Sequence, residues 1–247
     1  MTIRQHRIFH EGTLEIGTEV ALSVDSGHYL RQVMRARSGQ LITLFNGAGG
    51  EYRATILTIE KRECRVLVDQ FIDREVESSL DITLLQGISK GDKMDFTIQK
   101  AVELGVNHVV PLLTERSVIK LDTKRGQKKR EHWQGVAIAA AAQSGRNRIT
   151  TIAPIIKLSE CLLTTNKSNA NKLMLSPSAK LGFNSIAQSQ SITLLIGPEG
   201  GLSDGEERAA AAAGFCAVRF GPRVLRTETA AIAAVGLIQG VWGDLGC

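Results

Sequence analysis

Apolar and polar positions follow two different rhythms along this chain. Over residues 4–71 short runs alternate between the two, which predicts strands at 8–9, 20–22, 41–45, 52–59 and 64–68, because a period of two turns one face of a strand toward a core. A single helical stretch, 28–35, interrupts them: Leu30, Val33 and Met34 share one face, and Arg31, Arg35 and the nearby Arg37 lie on or near the other side. The pattern predicts a small β-barrel that carries a basic helix. Between two of the runs, Asn46-Gly47-Ala48-Gly49-Gly50 reads as a hairpin turn; Tyr52 stands where a GxGxxG nucleotide loop requires glycine, and no helix pattern follows.

A polar stretch at 73–79 is the predicted linker, dividing residues 1–74 from 75–247. Beyond it the rhythm changes. A near-continuous apolar run at 81–89 is followed by a helical pattern at 92–104, with Met94, Ile98, Ala101 and Val102 inward, and then by another apolar strand at 107–113. Later strands are predicted at 173–175, 192–196 and 217–220, and later helices at 134–144, 203–213 and 228–241. Strands alternating with helices predict an α/β fold with a mostly parallel sheet covered on both faces.

Charge changes this picture modestly. Residues 1–75 carry 10 basic and 10 acidic side chains, so the whole net charge of +5 falls in the later part. A pI near 9.1 favours a polyanionic partner. Cys64, Cys161, Cys216 and Cys247 are far apart, and the five histidines have no metal spacing; the expectation is reduced, mostly structural thiols and no metal. The N-terminal residues show no signal-peptide pattern and no apolar run is long enough to span a membrane, which predicts a cytoplasmic protein.

Four segments could carry chemistry. Residues 196–207 contain Gly197, Gly200 and Gly201 after an apolar strand, and Ser203 with Glu206 forms a capping box for the next helix. The segment has no basic residue, so Glu199 amid exposed backbone suits a cationic or donor-rich ligand better than a phosphate. Residues 221–231 lie between another strand and helix; Thr227 is the expected N-cap, whereas Arg223 and Arg226 oppose the positive helix end and therefore call for a function. Arg116 follows the strand at 107–113. Lys120, Lys124, Arg125, Lys128, Lys129 and Arg130 form a basic run, to which Arg146 and Arg148 add two further cations.

Taken in order, these motifs resemble one family, the ribosomal RNA small subunit methyltransferase E family. The resemblance rests on His28-Tyr29-Leu30, Val33-Met34-Arg35, Gly39, Phe45-Asn46-Gly47, residues 90–95, Gln99-Lys100, Glu103-Leu104-Gly105, residues 114–117, Trp133, Gln143-Ser144 with Arg146, residues 196–201 and residues 225–230. It implies a PUA-like N-terminal barrel, a C-terminal SPOUT domain with a trefoil knot, a homodimer, and methylation of N3 of a uridine in 16S rRNA within the small subunit. S-adenosylmethionine would be held by Leu175, Ser176, Ile196, Gly197, Glu199, Gly200, Gly201, Leu202, Leu225, Arg226, Thr229 and Ala230. Arg226, Arg116 from the partner subunit, and Glu228 as proton acceptor would be catalytic. Arg31, Arg35, Arg37, Lys124, Arg125, Lys128, Lys129 and Arg146 would contact RNA. Ala142 departs from the family, which usually has Glu there. The alternatives are a noncatalytic rRNA-binding assembly factor or a SPOUT methyltransferase acting on another RNA site.

Overall fold

The computed structural model describes residues 6–117, 123–165 and 170–246. Two units emerge: Met1–Glu77 with Ala141–Ile149, and Ser78–Ala140 with Thr150–Cys247. The break after Glu77 falls three residues past the expected one, and the return of 141–149 to the first unit is not in the single-boundary reading.

In the first unit, β1 (Arg7–Phe9), β2 (Glu19–Ala21), β3 (Leu41–Phe45), β4 (Glu51–Ile59) and β5 (Cys64–Ile72) form one sheet in the order β1-β3-β4-β5-β2. β1 runs parallel to β3 and the other pairs are antiparallel. Register shifts at Arg53/Ala54 and Ile56/Thr58 mark bulges in the β4–β5 pair. Ile42, Leu44, Ala54, Ile56, Val66 and Val68 form the core with Leu30. The 46–50 turn joins β3 to β4, with Gly47, Gly49 and Gly50 at positive φ.

The expected helix at 28–35 is different. α1 covers only Val24–His28 and runs into a π-helical turn at Tyr29–Val33. Arg35 then adopts a left-handed φ of 51°, which ends it. Leu30 is fully buried, but Val33 is 63% exposed rather than inward. Arg31 is half-buried, and Arg35 and Arg37 are exposed outside any helix.

A second difference concerns polar residues. Arg146 is 4% exposed and Asn147 is fully buried. Arg146 grips Glu77 through Nε (3.1 and 3.0 Å) and Nη2 (2.5 Å). Arg7 pairs with Glu51 and donates to Asn147 Oδ1 at 2.6 Å, while Asn147 Nδ2 donates to the Arg74 carbonyl at 2.5 Å. Buried charges need such partners. Arg146 is thus committed to Glu77 and leaves the set of expected RNA contacts.

The second unit is a parallel sheet of β6 (Asp81–Gly87), β7 (His108–Leu113), β8 (Thr151–Ile152), β9 (Ile156–Lys157), β10 (Asn171–Leu175), β11 (Leu181–Gly182), β12 (Ser191–Ile196) and β13 (Cys216–Arg219). The order is β11-β13-β10-β12-β6-β7-β8, with β9 also on β7. Its helices are α2 (Lys93–Glu103), α3 (Thr123–Ser144, whose last residues belong to the first unit), α4 (Leu158–Thr165), α5 (Asp204–Ala212) and α6 (Thr227–Trp242). Leu85, Leu112, Met174 and Leu195 form one core with residues of α4 and α5. Leu84 and Leu194 alternate to the opposite face and are also fully buried, so both faces are covered. Met94, Ile98, Ala101 and Val102 are buried on α2. Asp95 on α2 accepts from Trp133 Nε1 at 3.0 Å and contacts His132 Nε2 at 2.6 Å on α3, which locks the two helices together.

No described helix is long and apolar enough to cross a membrane. Among the described residues no three His, Cys, Asp or Glu gather as a metal site. Burial pushes the Cys64 and Cys161 thiols up in pKa, so neither is activated, and Cys216 is exposed. Lys120 and Cys247 lie outside the described residues.

Candidate functional site

Because every pair in the large sheet is parallel, all its strands end at one edge. β13, β10 and β12 are neighbours there, and the loops that leave them enclose a cleft of about 830 Å³. Ligands of open α/β sheets bind at this edge.

The loop after β12 is held from several directions. Ser203 caps α5, receiving Glu206 N–H, while Glu206 Oε2 accepts from Ser203 N–H at 2.9 Å. The other oxygen of Glu206 accepts from Glu115 N–H at 2.8 Å. Arg116 Nη1 donates to the carbonyls of Gly200 at 2.9 Å and Leu202 at 3.1 Å. On the opposite side Glu199 Oε1 accepts from Lys90 N–H at 3.0 Å and faces Lys93 Nζ at 3.4 Å. Partial burial pushes the Glu199 pKa up, but the backbone N–H groups of Lys90 and Glu199 and the Lys93 ammonium outweigh it and hold the carboxyl below its ordinary value.

Glycines are required where the chain doubles back. A Cβ on Gly197 would lie 2.9 Å from Leu202 N and 3.0 Å from Gly201 C. One on Gly87 would lie 2.5 Å from Pro198 N. Beneath them Gln86, fully buried, donates Nε2 to Thr227 Oγ1 at 2.9 Å, and Thr227 Oγ1 donates to the Gly197 carbonyl at 2.7 Å. This tie joins β6, the loop after β12 and the start of α6.

The loop after β13 differs. Arg226, rather than Thr227, is the N-cap of α6 and makes no side-chain cap. Arg223, Val224 and Arg226 are exposed.

Of the residues expected to hold a cofactor, Leu175, Ser176, Ile196, Gly197, Glu199, Gly200, Gly201, Leu202, Leu225, Arg226 and Ala230 line this cleft. Thr229 and Glu228 are not among the described residues that do so; Thr229 is exposed and one Glu228 carboxylate oxygen is buried without a partner. Arg116 lines the cleft, but its guanidinium is engaged by its own chain. Lys124, Arg125 and Lys128 on α3 are exposed, and Lys129 lies over the Trp133 ring at 5.6 Å.

Sequence reading does not reveal Gln86 as a tie beneath the cleft, the partners of Lys90 and Lys93 within the 90–95 motif, or the second role of Glu206. For Gln86 the available signal was a polar residue inside an apolar strand; the others meet their partners only through the fold.

Residues 76–239 match the RNA methyltransferase domain family and residues 22–69 the RNA methyltransferase PUA domain family. The chain is 36% identical over 249 aligned residues to the ribosomal RNA small subunit methyltransferase E of Buchnera aphidicola from Schizaphis graminum, covering 99% of this chain and 100% of that one. It is 29% identical to the Bacillus subtilis protein of the same name, covering 92% and 91%. The crystal structure of ribosomal RNA small subunit methyltransferase E from Neisseria gonorrhoeae bound to S-adenosylmethionine superposes with a TM-score of 0.91 at 38% identity, covering 98% and 100%. A methyltransferase from Legionella pneumophila in complex with the same cofactor superposes with a TM-score of 0.94 at 37% identity, again covering 98% and 100%. The chain therefore belongs to the ribosomal RNA small subunit methyltransferase E family.

Proposed function

We propose that this protein uses S-adenosylmethionine to methylate N3 of a uridine in 16S rRNA, acting as a homodimer on the small ribosomal subunit in the cytoplasm. The observation that carries the reading is the cleft at the sheet edge, where the braced glycine loop 197–202 faces the exposed Arg226. Its residues suit the cofactor. Gly197, Gly200 and Gly201 bring backbone close to a ligand, and Glu199, Asp204 and Glu207 offer negative charge to its cationic groups. When bound, S-adenosylmethionine supplies the activated methyl group.

The chain's own residues then orient and polarise. Uracil N3 must lose its proton for the transfer, and negative charge develops on the O2 and O4 carbonyls until N3 accepts the methyl group from the sulfonium, which leaves as the neutral thioether; the Arg226 guanidinium stabilises that transient charge. It stays protonated and so is not the base. Glu228 lies off the cleft, which favours water as proton acceptor. Arg116 serves as a positioning residue, fixing the Gly200 and Leu202 carbonyls from within the same chain. A trefoil knot is supported by the strand order: after β12 the chain crosses to the far side of β10 as β13 and returns, so that Thr227 meets Gly197 and Gln86. Exposed Arg35, Arg37, Lys124, Arg125 and Lys128 are the proposed RNA backbone contacts, joined by the half-buried Arg31 and Lys129.

The test is to incubate the purified protein with radiolabelled S-adenosylmethionine and small subunits from a strain lacking the cognate enzyme, and then to identify the labelled nucleoside. The expected product is 3-methyluridine in 16S rRNA. Cofactor binding without label would sink the substrate assignment, and absent cofactor binding would favour an assembly factor.

A further inference from the structure

Arg219 ends β13, and Arg223 and Arg226 lie in the loop that follows; all three are exposed and line the cleft. None of the three guanidinium groups has a hydrogen bond or ion pair among the described residues. Arg116 and Arg130 in the same unit, by contrast, spend their guanidinium groups on backbone carbonyls. The acidic residues of the cleft, Glu199, Asp204 and Glu207, sit on the other loop and on α5, and no ion pair joins them to these arginines among the described residues.

Two further observations bear on the same place. Val224, between the last two arginines, is 80% exposed, an apolar group left at the tip of a charged loop. The N-terminus of α6 carries no side-chain cap, and Glu228 is the one acidic residue of its first turn, set against the arginines that precede it. Like charges gathered in this way oppose one another in the isolated protein, and an anion relieves them. One carboxylate could engage one guanidinium, whereas the paired forks of Arg219 and Arg223 match successive phosphates.

We infer that Arg219 and Arg223 form a seat for the backbone phosphates of the RNA strand that carries the target base, beside Arg226 at the base itself, with Val224 packed against the adjoining ribose or base. The inference rests on the RNA-methyltransferase reading and deepens it. The seat sets the register of the strand over the cleft, the usual work of phosphate contacts. It lies on the methyltransferase domain itself.

The experiment is filter binding of radiolabelled 16S rRNA to the full-length protein saturated with S-adenosylhomocysteine, across a salt series. Arg219→Gln with Arg223→Gln should weaken binding about tenfold and flatten the slope of log affinity against log salt by about 1.4, two contacts at roughly 0.7 each. Arg219→Lys with Arg223→Lys should keep the slope. Cofactor affinity, measured by equilibrium dialysis, should stay within about twofold in both, which also reports that the fold is intact. An unchanged slope in the glutamine variant overturns the seat. Lost cofactor affinity with an unchanged slope overturns it too and assigns these arginines to the cofactor's carboxylate. Wild-type protein that binds rRNA but transfers no methyl group would sink the methyltransferase reading, while the slope still decides the seat.

Discussion

Two loops leave neighbouring parts of one sheet edge, each joining a strand to a helix, and they are built in opposite ways. The loop after β12 is tied on every side: Arg116 holds its carbonyls, Glu206 bridges it to Glu115, and Glu199 reaches Lys90 and Lys93. Among the described residues the loop after β13 leaves the guanidinium groups of its arginines without partners and its helix without a side-chain cap. A loop that must present backbone to a small ligand gains from being fixed beforehand, since ordering it at binding would cost affinity. A loop that meets a polyanion gains from charges not already neutralised at home. On the proposed reading the first loop serves the cofactor, and the exposed arginines of the second serve RNA.

The largest effect should come from the second loop. Arg226→Ala should lower kcat by about 10²–10³, some 3–4 kcal/mol of transition-state stabilisation, with cofactor affinity largely kept. Equal loss of both in steady-state and dialysis measurements would make Arg226 a cofactor or folding residue and break the division. Gly197→Ala attacks the first loop, where the new Cβ meets backbone at 2.9 Å. Cofactor Kd should rise at least about tenfold, because burial of a misfitted atom forces the backbone to shift; calorimetric titration checks it.

Arg116→Ala removes two hydrogen bonds from the same loop. KM for the cofactor should rise at least about fivefold, two bonds at about 0.5 kcal/mol or more each, with kcat nearly unchanged. Arg116→Lys should recover part of it. A fall in kcat alone would restore Arg116 as a catalytic residue. Glu199 gives the smallest effect. Its carboxyl is held below the ordinary value, so its hold on Lys93 is fully present above the ordinary carboxylate range and is lost as pH falls through the lowered value. Cofactor Kd should therefore be flat around neutral pH and rise a few-fold only in acid, and Glu199→Gln should remove that rise.

Strong periodicity was legible. The runs at 81–89, 107–113 and 192–196 became β6, β7 and β12 almost residue for residue, and the inward positions of α2 are those expected. Weak periodicity was not. α3 begins at Thr123 rather than 134 because its first half is polar on all sides and shows no apolar stripe. α4 is only eight residues long and lies close to two-residue strands, too short for a pattern to repeat. The departure at Ala142 falls where α3 returns to the first unit, beside the fully buried Ala141. Nothing else in the structure bears on it.

By itself the sequence determined the alternation of strands and helices, the glycine-rich loop and the arginines that precede α6, because each is a local property of spacing, backbone freedom or charge. Tertiary structure alone decided which polar groups are used. Arg146 reads as a surface cation until Glu77, 69 residues away, buries with it. Arg116 reads as a free loop charge until Gly200 and Leu202 arrive from the loop after β12, on the other side of β6. A charged side chain has the same chemistry whether it meets water, a carboxylate or an RNA phosphate, and the choice among them is made by neighbours distant in the chain.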